Sequence, residues 1–97
     1  MWIGWIELDL RLGDVHSLKT KRSIVRPIVA ELRRRFQVAA AETDHVDLHR
    51  RVGIGASIVA ADRAHVVDVL DAVEQLVAYH PEVEVLTARR RLATSDD

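Results

Sequence analysis

The chain has 97 residues, 48% of them hydrophobic and 30% charged, which is typical of one globular domain and excludes a disordered chain. Its formal net charge of −1 excludes a strong overall attraction to nucleic acid or anionic membranes, so an electrostatic partner requires a local patch. The lack of cysteine excludes disulfides and thiol chemistry, and no apolar run approaches the ~20 residues of a membrane-spanning helix.

The first element, Trp2 to Leu12, alternates between two kinds of residue. One side carries Gly4, Ile6, Leu8, Leu10 and Leu12, and the other carries Trp5, Glu7, Asp9 and Arg11. A period of two residues predicts a half-buried strand with one wet face. The acidic residues of this segment argue against a signal peptide, so we expect a cytoplasmic protein.

A long amphipathic helix is predicted over Ser17 to Phe36, and the Ser17 hydroxyl is its predicted cap. The apolar stripe of this helix comprises Leu18, Val25, Ile28, Val29, Leu32 and Phe36. Pro27 falls inside the helix, where a proline removes one backbone hydrogen bond. Because the stripe keeps its phase across Pro27, we expect one kinked helix with the proline on the solvent side, rather than two helices.

The rest of the chain predicts three further strands and a second helix. Gln37 to Thr43 is typical of a weak strand, and the alternation of Arg51 to Ala61 predicts a stronger one. Asp62 is the predicted cap of a helix whose apolar stripe comprises Val66, Val69, Leu70, Val73, Leu76 and Val77. Glu82 to Leu92 predicts the last strand, and residues 93–97 are predicted to be a polar, disordered tail.

The predicted order of elements is β-α-β-β-α-β. Right-handed connections then place both helices on one face of a four-stranded antiparallel sheet, which is a ferredoxin-like fold of the α+β class. We find no repeat beyond the pseudo-symmetry of the two halves and no second domain, so we expect one domain over residues 1–92. The other face of the sheet is predicted to stay open.

Besides the opening strand and the second helix, four segments carry a family resemblance. They are SLKTKR at Ser17 to Arg22, VAELRRRF at Val29 to Phe36, AETDHVDLHRR at Ala41 to Arg51, and PEVEVLTARRRL at Pro81 to Leu92. In these segments the chain resembles the YlxP-like family of small bacterial proteins. The resemblance implies a ferredoxin-like fold, and it implies no activity, catalytic residue or cofactor. Members are often encoded between a translation initiation factor and a ribosome-binding factor, and this association implies a role around ribosome maturation.

The first predicted helix is strongly basic, with seven basic residues from Lys19 to Arg35 against the single acid Glu31. Basic side chains along one helix flank can pair with successive phosphates, and the start of a helix also favours anions. Our candidates for contact with the RNA backbone are Lys19, Lys21, Arg22 and Arg26. The hypothesis is a non-enzymatic accessory protein of ribosomal RNA or a ribosomal particle, whose binding weakens as salt rises.

An alternative use of the same charges lies inside the protein. If the two helices lie side by side, Arg22, Arg26 and Arg33 can face the acids of the second helix, which are Asp68, Asp71 and Glu74. Each such solvated pair contributes only ~0–1 kcal/mol, and the seam leaves no free basic surface along the helix. For Lys19 and Lys21 the alternative is a plain solvated lysine.

The open sheet face supports a second hypothesis. Trp5 lies there on the first strand, and Gly53, Gly55 and Ser57 face the same way on the neighbouring strand. RNA-recognition domains of this topology stack bases on aromatic residues from both central strands, whereas here only one strand offers one. A flat face with one tryptophan suits a homodimer or a protein partner better, so Trp5 is our candidate for that contact. In the alternative, Trp5 only covers the glycines of its own sheet.

Patterns for catalysis and metal binding are weak. His45 and His49 flank Asp47 in DHVDLH, and a histidine pair at this spacing binds zinc on a helical turn, but no third ligand follows at a diagnostic distance. The serines lie in no nucleophile motif, and the glycines of the third strand form no phosphate-binding loop. Glu7 and Asp9 share a solvated face that does not suit paired acid–base work. We predict no enzyme, cofactor, resident metal, small-molecule substrate or membrane partner.

Overall fold

The computed structural model describes residues 1–97 as four strands and two helices. The strands are β1 (Trp2–Leu12), β2 (Ala39–Asp44), β3 (Arg51–Ala60) and β4 (Val83–Thr94), and the helices are α1 (Leu18–Phe36) and α2 (Arg63–Ala78). The order β1-α1-β2-β3-α2-β4 confirms the predicted order of elements.

The four strands form one antiparallel sheet in the spatial order β2-β3-β1-β4. β1 and β3 are therefore the central strands, and β2 and β4 are the edges. Both helices bury their apolar stripes in the same core cluster, which also contains the inward side chains of the strands. The arrangement confirms the predicted ferredoxin-like α+β fold, with one sheet face covered by helices and one left open.

Alternation along the central strands places their side chains as predicted. On β1, Ile6, Leu8, Leu10 and Leu12 are at most 1% exposed. On β3, the residues that point into the core are Val52, Ile54, Ala56 and Ile58. Gly4 continues the buried face of β1 beneath α2, where a Cβ atom would overlap the side chain of Val66. The contact between β1 and α2 therefore requires glycine at this position.

The first helix runs unbroken through Pro27, which confirms the prediction of a single helix. Pro27 is exposed on the side away from the core, where the carbonyl that loses its hydrogen-bond donor can bind water. The Oγ atom of the predicted cap Ser17 accepts a hydrogen bond from Thr20 N at 3.1 Å. Gln37, with a left-handed φ of 52°, ends the helix. Neither helix has the length and apolar character needed to cross a bilayer.

Two strand boundaries differ from the predictions by two residues. β2 covers Ala39–Asp44 rather than residues 37–43, because the left-handed turn after α1 delays its start. β4 continues through Thr94, so residues 93 and 94 belong to the sheet rather than to a disordered tail. Beyond the strand, Ser95 N donates to the Met1 carbonyl at 2.9 Å. The C-terminus is ordered because β1 offers backbone partners along its whole length, which the polar composition of the tail does not reveal.

Candidate functional site

The exposed flank of α1 carries three basic side chains that we call the cationic row: Lys19, Arg22 and Arg26. All three are exposed, and none of them takes part in an ion pair of the structure. Spacings of three and four residues place them one above another, and a rise of ~1.5 Å per residue makes the row about 10 Å long. The first turn of α1 contains no acidic residue, so the positive end of the helix dipole is not neutralised there. The row is thus a free positive surface.

Arg33 shows which flank of the helix this row occupies. Its Nε atom donates to the carbonyl oxygen of Ala40 on β2 at 3.0 Å. Arg33 lies two helical turns beyond Arg26 and therefore shares its flank. The cationic row consequently runs beside the edge strand β2 and faces away from α2.

The alternative prediction, a seam of ion pairs between the two helices, is wrong. The acids of α2 pair instead with β4: Asp71 Oδ1 lies 2.7 Å from Arg90 Nη1, and Glu74 Oε1 lies 3.0 Å from Arg90 Nη2. Burial lowers the pKa of Arg90, but hydrogen bonds and attraction to Asp71 and Glu74 raise that pKa overall. Asp68 forms no ion pair. Asp71 and Glu74 cannot neutralise the cationic row, because they lie on the β4 side of the molecule.

Lys21 lies inside the protein, although the sequence analysis proposed it as a phosphate contact. Its side chain is only 2% exposed. The Nζ atom donates to the carbonyl oxygens of His45 at 2.7 Å and Leu48 at 2.8 Å, and it lies 2.9 Å from Glu42 Oε2. These three acceptors match the three protons of an ammonium group. Lys21 is therefore not available to contact RNA, because its ammonium group is buried and bound to the loop between β2 and β3 and to Glu42.

The helical pattern contained a signal for this burial. Lys21 lies three, four and seven residues before Ile24, Val25 and Ile28, so all four share one face of α1. A lysine in the middle of an apolar stripe is buried only when it is paired. The signal alone does not predict burial, because the partners of Lys21 come from β2 and the following loop, which no local pattern identifies.

The open face of the sheet has an apolar half around Trp5. The register places Ile3 beside Val59 and Ala93, and Trp5 beside Ser57 and Arg91. Trp5 is 38% exposed and Val59 is 61% exposed. Trp5 forms one wall of a depression of ≈ 410 Å³, which we call the hollow; its floor consists of the small residues Ala39, Ala41, Gly55 and Ser57, and Glu7 and Thr43 also line it. The candidate for a protein contact therefore projects next to a smooth, weakly polar surface.

The other half of the open face is charged and internally paired. Its ion pairs are Glu7 with Arg89, Asp9 with Arg51, and Arg11 with Glu84. The carboxylate of Glu7 also accepts a hydrogen bond from Thr43 Oγ1 at 3.0 Å. Glu7 and Asp9 were predicted to lie on this face, whereas their arginine partners, Arg89 and Arg51, were not predicted. Arg89 could have been found from the alternation of β4, which places every second residue of the ARRRL segment on this face.

His45 lies against this charged half. Its Nε2 atom is 3.4 Å from Asp9 Oδ1 and 3.5 Å from Arg51 Nη2. A left-handed φ of 57° at His45 turns the chain at the end of β2 and brings the ring over the sheet. No group of three or more His, Cys, Asp and Glu side chains is arranged to hold a metal ion, so the set of His45, Asp47 and His49 is not assembled as a ligand cluster.

The chain is similar to known proteins in both sequence and structure. Residues 3–90 match the model of a family described as "Protein of unknown function (DUF503)". The chain is 28% identical over 82 residues to "Uncharacterized protein YlxP" of Bacillus subtilis (strain 168), and the alignment covers 84% of this chain and 89% of that protein. A mutant of SnoaB, a cofactor-independent oxygenase from Streptomyces nogalater, has a similar structure, with a TM-score of 0.51, 11% identity and coverage of 99% and 94% of the two chains. At this identity the likeness to SnoaB shows the fold alone.

Proposed function

We propose, from the premise that this chain belongs to the DUF503 family of proteins of unknown function, that it is a non-enzymatic accessory protein that binds the RNA backbone. The contact surface is the cationic row of Lys19, Arg22 and Arg26. The RNA is ribosomal, either free or within a ribosomal particle.

One observation carries this proposal, namely that the cationic row has no acidic partner although the protein as a whole is not basic. Four carboxylates of β1 and α2, those of Glu7, Asp9, Asp71 and Glu74, are occupied by arginines of β3 and β4. An exposed arginine without a carboxylate keeps its full capacity for bidentate hydrogen bonds to a phosphate. Such a strip on a chain of net charge −1 supports a local anionic partner.

The mode of binding follows from what the row can reach. Three cations along a convex helix contact phosphates and not base edges, so we expect little dependence on RNA sequence. Each phosphate neutralised on a single strand contributes about −0.7 to the slope of log affinity against log salt, and three contacts give a slope of about −2. Binding is therefore expected to be weak at physiological salt and clear at low salt.

The test is fluorescence anisotropy of a labelled single-stranded RNA at several salt concentrations, combined with co-sedimentation with ribosomal particles. The test variant is the double substitution Arg22→Glu and Arg26→Glu, which should abolish binding in both assays. The matched control is Arg34→Glu and Arg35→Glu, which changes the net charge equally on the same helix but away from the row. Arg35 has an exposed ion pair with Glu31 and a cation–π contact with Phe36, each of which contributes about 1 kcal/mol of stability or less at an exposed site.

Two results would contradict the proposal. One is full RNA binding by the Arg22→Glu and Arg26→Glu variant, and the other is equal loss in the test and control variants. Substitution of Lys21 is not a usable test, because the buried ammonium supports the loop between β2 and β3 and its loss affects folding.

A further inference from the structure

The open sheet face carries a projection and a depression at the same level. Trp5 on β1 is directly opposite Ser57 on β3, and the hollow extends from Ser57 and Gly55 toward β2. β1 and β3 are the two central strands, so the midline of the sheet passes between them. Trp5 and the hollow therefore lie at equal heights on opposite sides of that midline.

This placement makes the face complementary to itself. A twofold axis that runs parallel to the strands, along the midline and above the sheet, carries β1 of one copy over β3 of the other. Each Trp5 then lies over Ser57 and Gly55 of the opposite copy, and the two contacts are equivalent, as in any isologous interface. We propose that a second copy of this chain covers the open sheet face and forms a twofold dimer in which each tryptophan enters the hollow of the other copy.

The same axis also matches the two halves of the face. Rotation about an axis parallel to the strands keeps every residue at its own level, so the apolar rows with Ile3, Val59 and Ala93 meet each other. An axis across the strands would instead press this apolar half against the ion pairs of Asp9 and Glu7, whereas the axis along the strands lets the ion-paired halves of the two copies meet each other. Facing sheets pack about 10 Å apart, which leaves room for an aromatic side chain over glycine and serine but not over larger residues.

The size of the face suits a dimer of modest affinity. β1 and β3 pair over ten residues, and four strands about 4.8 Å apart with a rise of about 3.3 Å per residue cover roughly 600 Å². A standard stable interface buries about 800 Å² per partner, so we expect dissociation in the micromolar range. The energy is concentrated in the two tryptophans, since buried aromatic residues in pockets dominate interfaces of this kind.

A second copy fits better than other occupants, because a single twofold rotation fills both hollows and buries both Trp5 side chains. A single-stranded RNA would find one aromatic residue where stacking needs several, and the carboxylates of Glu7 and Asp9 lie beside it. The cationic row lies on the helical layer and stays accessible in the dimer. RNA binding and dimerisation can therefore be tested, and can fail, separately.

Sedimentation equilibrium of the full chain from micromolar to submillimolar concentrations tests the proposal. We expect a monomer–dimer equilibrium that is weakened at least about tenfold by Trp5→Ala or by Ser57→Arg, which fills the hollow. Tyr79→Ala is the matched control, because Tyr79 is an aromatic residue that is 83% exposed on the helical layer. If a variant fails to fold, as judged by circular dichroism, Ala41→Glu on the exposed floor of the hollow replaces it.

A mixing experiment tests the twofold geometry itself. In a mixed dimer of Trp5→Ala and Ser57→Arg chains, one intact tryptophan meets one hollow whose floor is intact, and the introduced arginine meets the shortened residue 5. We therefore expect the mixture to dimerise more strongly than either variant alone. A wild-type chain that stays monomeric at submillimolar concentration would overturn the proposal. So would a dimer that Trp5→Ala, Ser57→Arg and Ala41→Glu all leave unchanged, or a mixture no stronger than its components.

Discussion

Lys21 of α1 and Glu42 of β2 form an ion pair that joins the first helix to the edge of the sheet, with Nζ 2.9 Å from Oε2. Lys21 is almost fully buried, and the side chain of Glu42 is 24% exposed. The same ammonium group donates to two carbonyl oxygens of the following loop. One side chain therefore connects α1, β2 and the β2–β3 loop, and the stability of all three is coupled to its charge.

We expect the substitution Lys21→Met to destabilise the protein by about 3–5 kcal/mol, because it leaves the Glu42 carboxylate unpaired in a partly buried site. The loop carbonyls of His45 and Leu48 also lose their donor. Urea denaturation measures this loss as a lower midpoint at unchanged slope. The control Lys19→Met removes an exposed lysine from the same helix turn and should change stability by less than about 0.5 kcal/mol. Equal effects of the two substitutions would show that the buried contacts do not stabilise the fold.

Substitution by glycine is expected to have opposite effects on stability at Gln37 and at Gln75. Gln37 ends α1 with φ of 52°, a left-handed conformation that glycine adopts without strain, so Gln37→Gly should stabilise the protein by about 0.5–1 kcal/mol. Gln75 is exposed inside α2, where glycine costs about 1 kcal/mol through backbone entropy. The midpoint temperature of thermal unfolding should therefore rise for Gln37→Gly and fall for Gln75→Gly. A fall for both would show that the left-handed turn is not strained.

The contact between β1 and α2 can be tested at Gly4. A Cβ atom there would overlap Val66 and lie 3.1 Å from Leu70 Cδ1, so Gly4→Ala should destabilise the protein by about 1–3 kcal/mol through overpacking. At Gly13 a Cβ atom meets no heavy atom within 4 Å, and its φ is not positive. Gly13→Ala should therefore leave the free energy of unfolding, measured by urea denaturation, within about 0.5 kcal/mol of the wild-type value. Similar losses in both variants would argue against close packing at Gly4.

The C-terminal turn is expected to depend on pH. The backbone N–H and the hydroxyl of Thr94 donate to the carboxylate of Asp97, and these bonds lower the pKa of Asp97 below its ordinary value. A depressed pKa in the folded state adds stability above the unfolded pKa, and this stability is lost as pH falls through the folded value, below about pH 4.

Hydrogen exchange of the Thr94 amide, followed by NMR as pH is lowered, measures this opening of the turn. We expect protection to fall below about pH 4 in the wild type. The Asp97→Asn variant should lose this dependence, and the Asp96→Asn control should keep it. A wild-type amide whose protection does not change on acidification would contradict the assignment.

The periodicity of the sequence was sufficient to predict the strands and helices and the apolar face of each. β1 and β3 repeat every two residues and α1 and α2 at helical spacing, because each buries one side in a shared core. Ser17 and Asp62 were predicted as caps and act as caps, since a cap depends on backbone groups within three residues. With this order of elements, chain connectivity left few alternatives to a ferredoxin-like sheet.

The partners of charged side chains depended on the tertiary structure. Lys21 was assigned to solvent and is buried, and Arg90 rather than α1 neutralises Asp71 and Glu74. In each case the partner of the charged side chain belongs to an element that is distant in sequence. The packing of the elements, rather than the spacing of residues along the chain, decides which partner is close enough. The sequence by itself determined which faces of the strands and helices are apolar, because burial of apolar side chains follows local periodicity. Only the tertiary structure decided which charges remain free for a partner, because pairing depends on distances between separate elements.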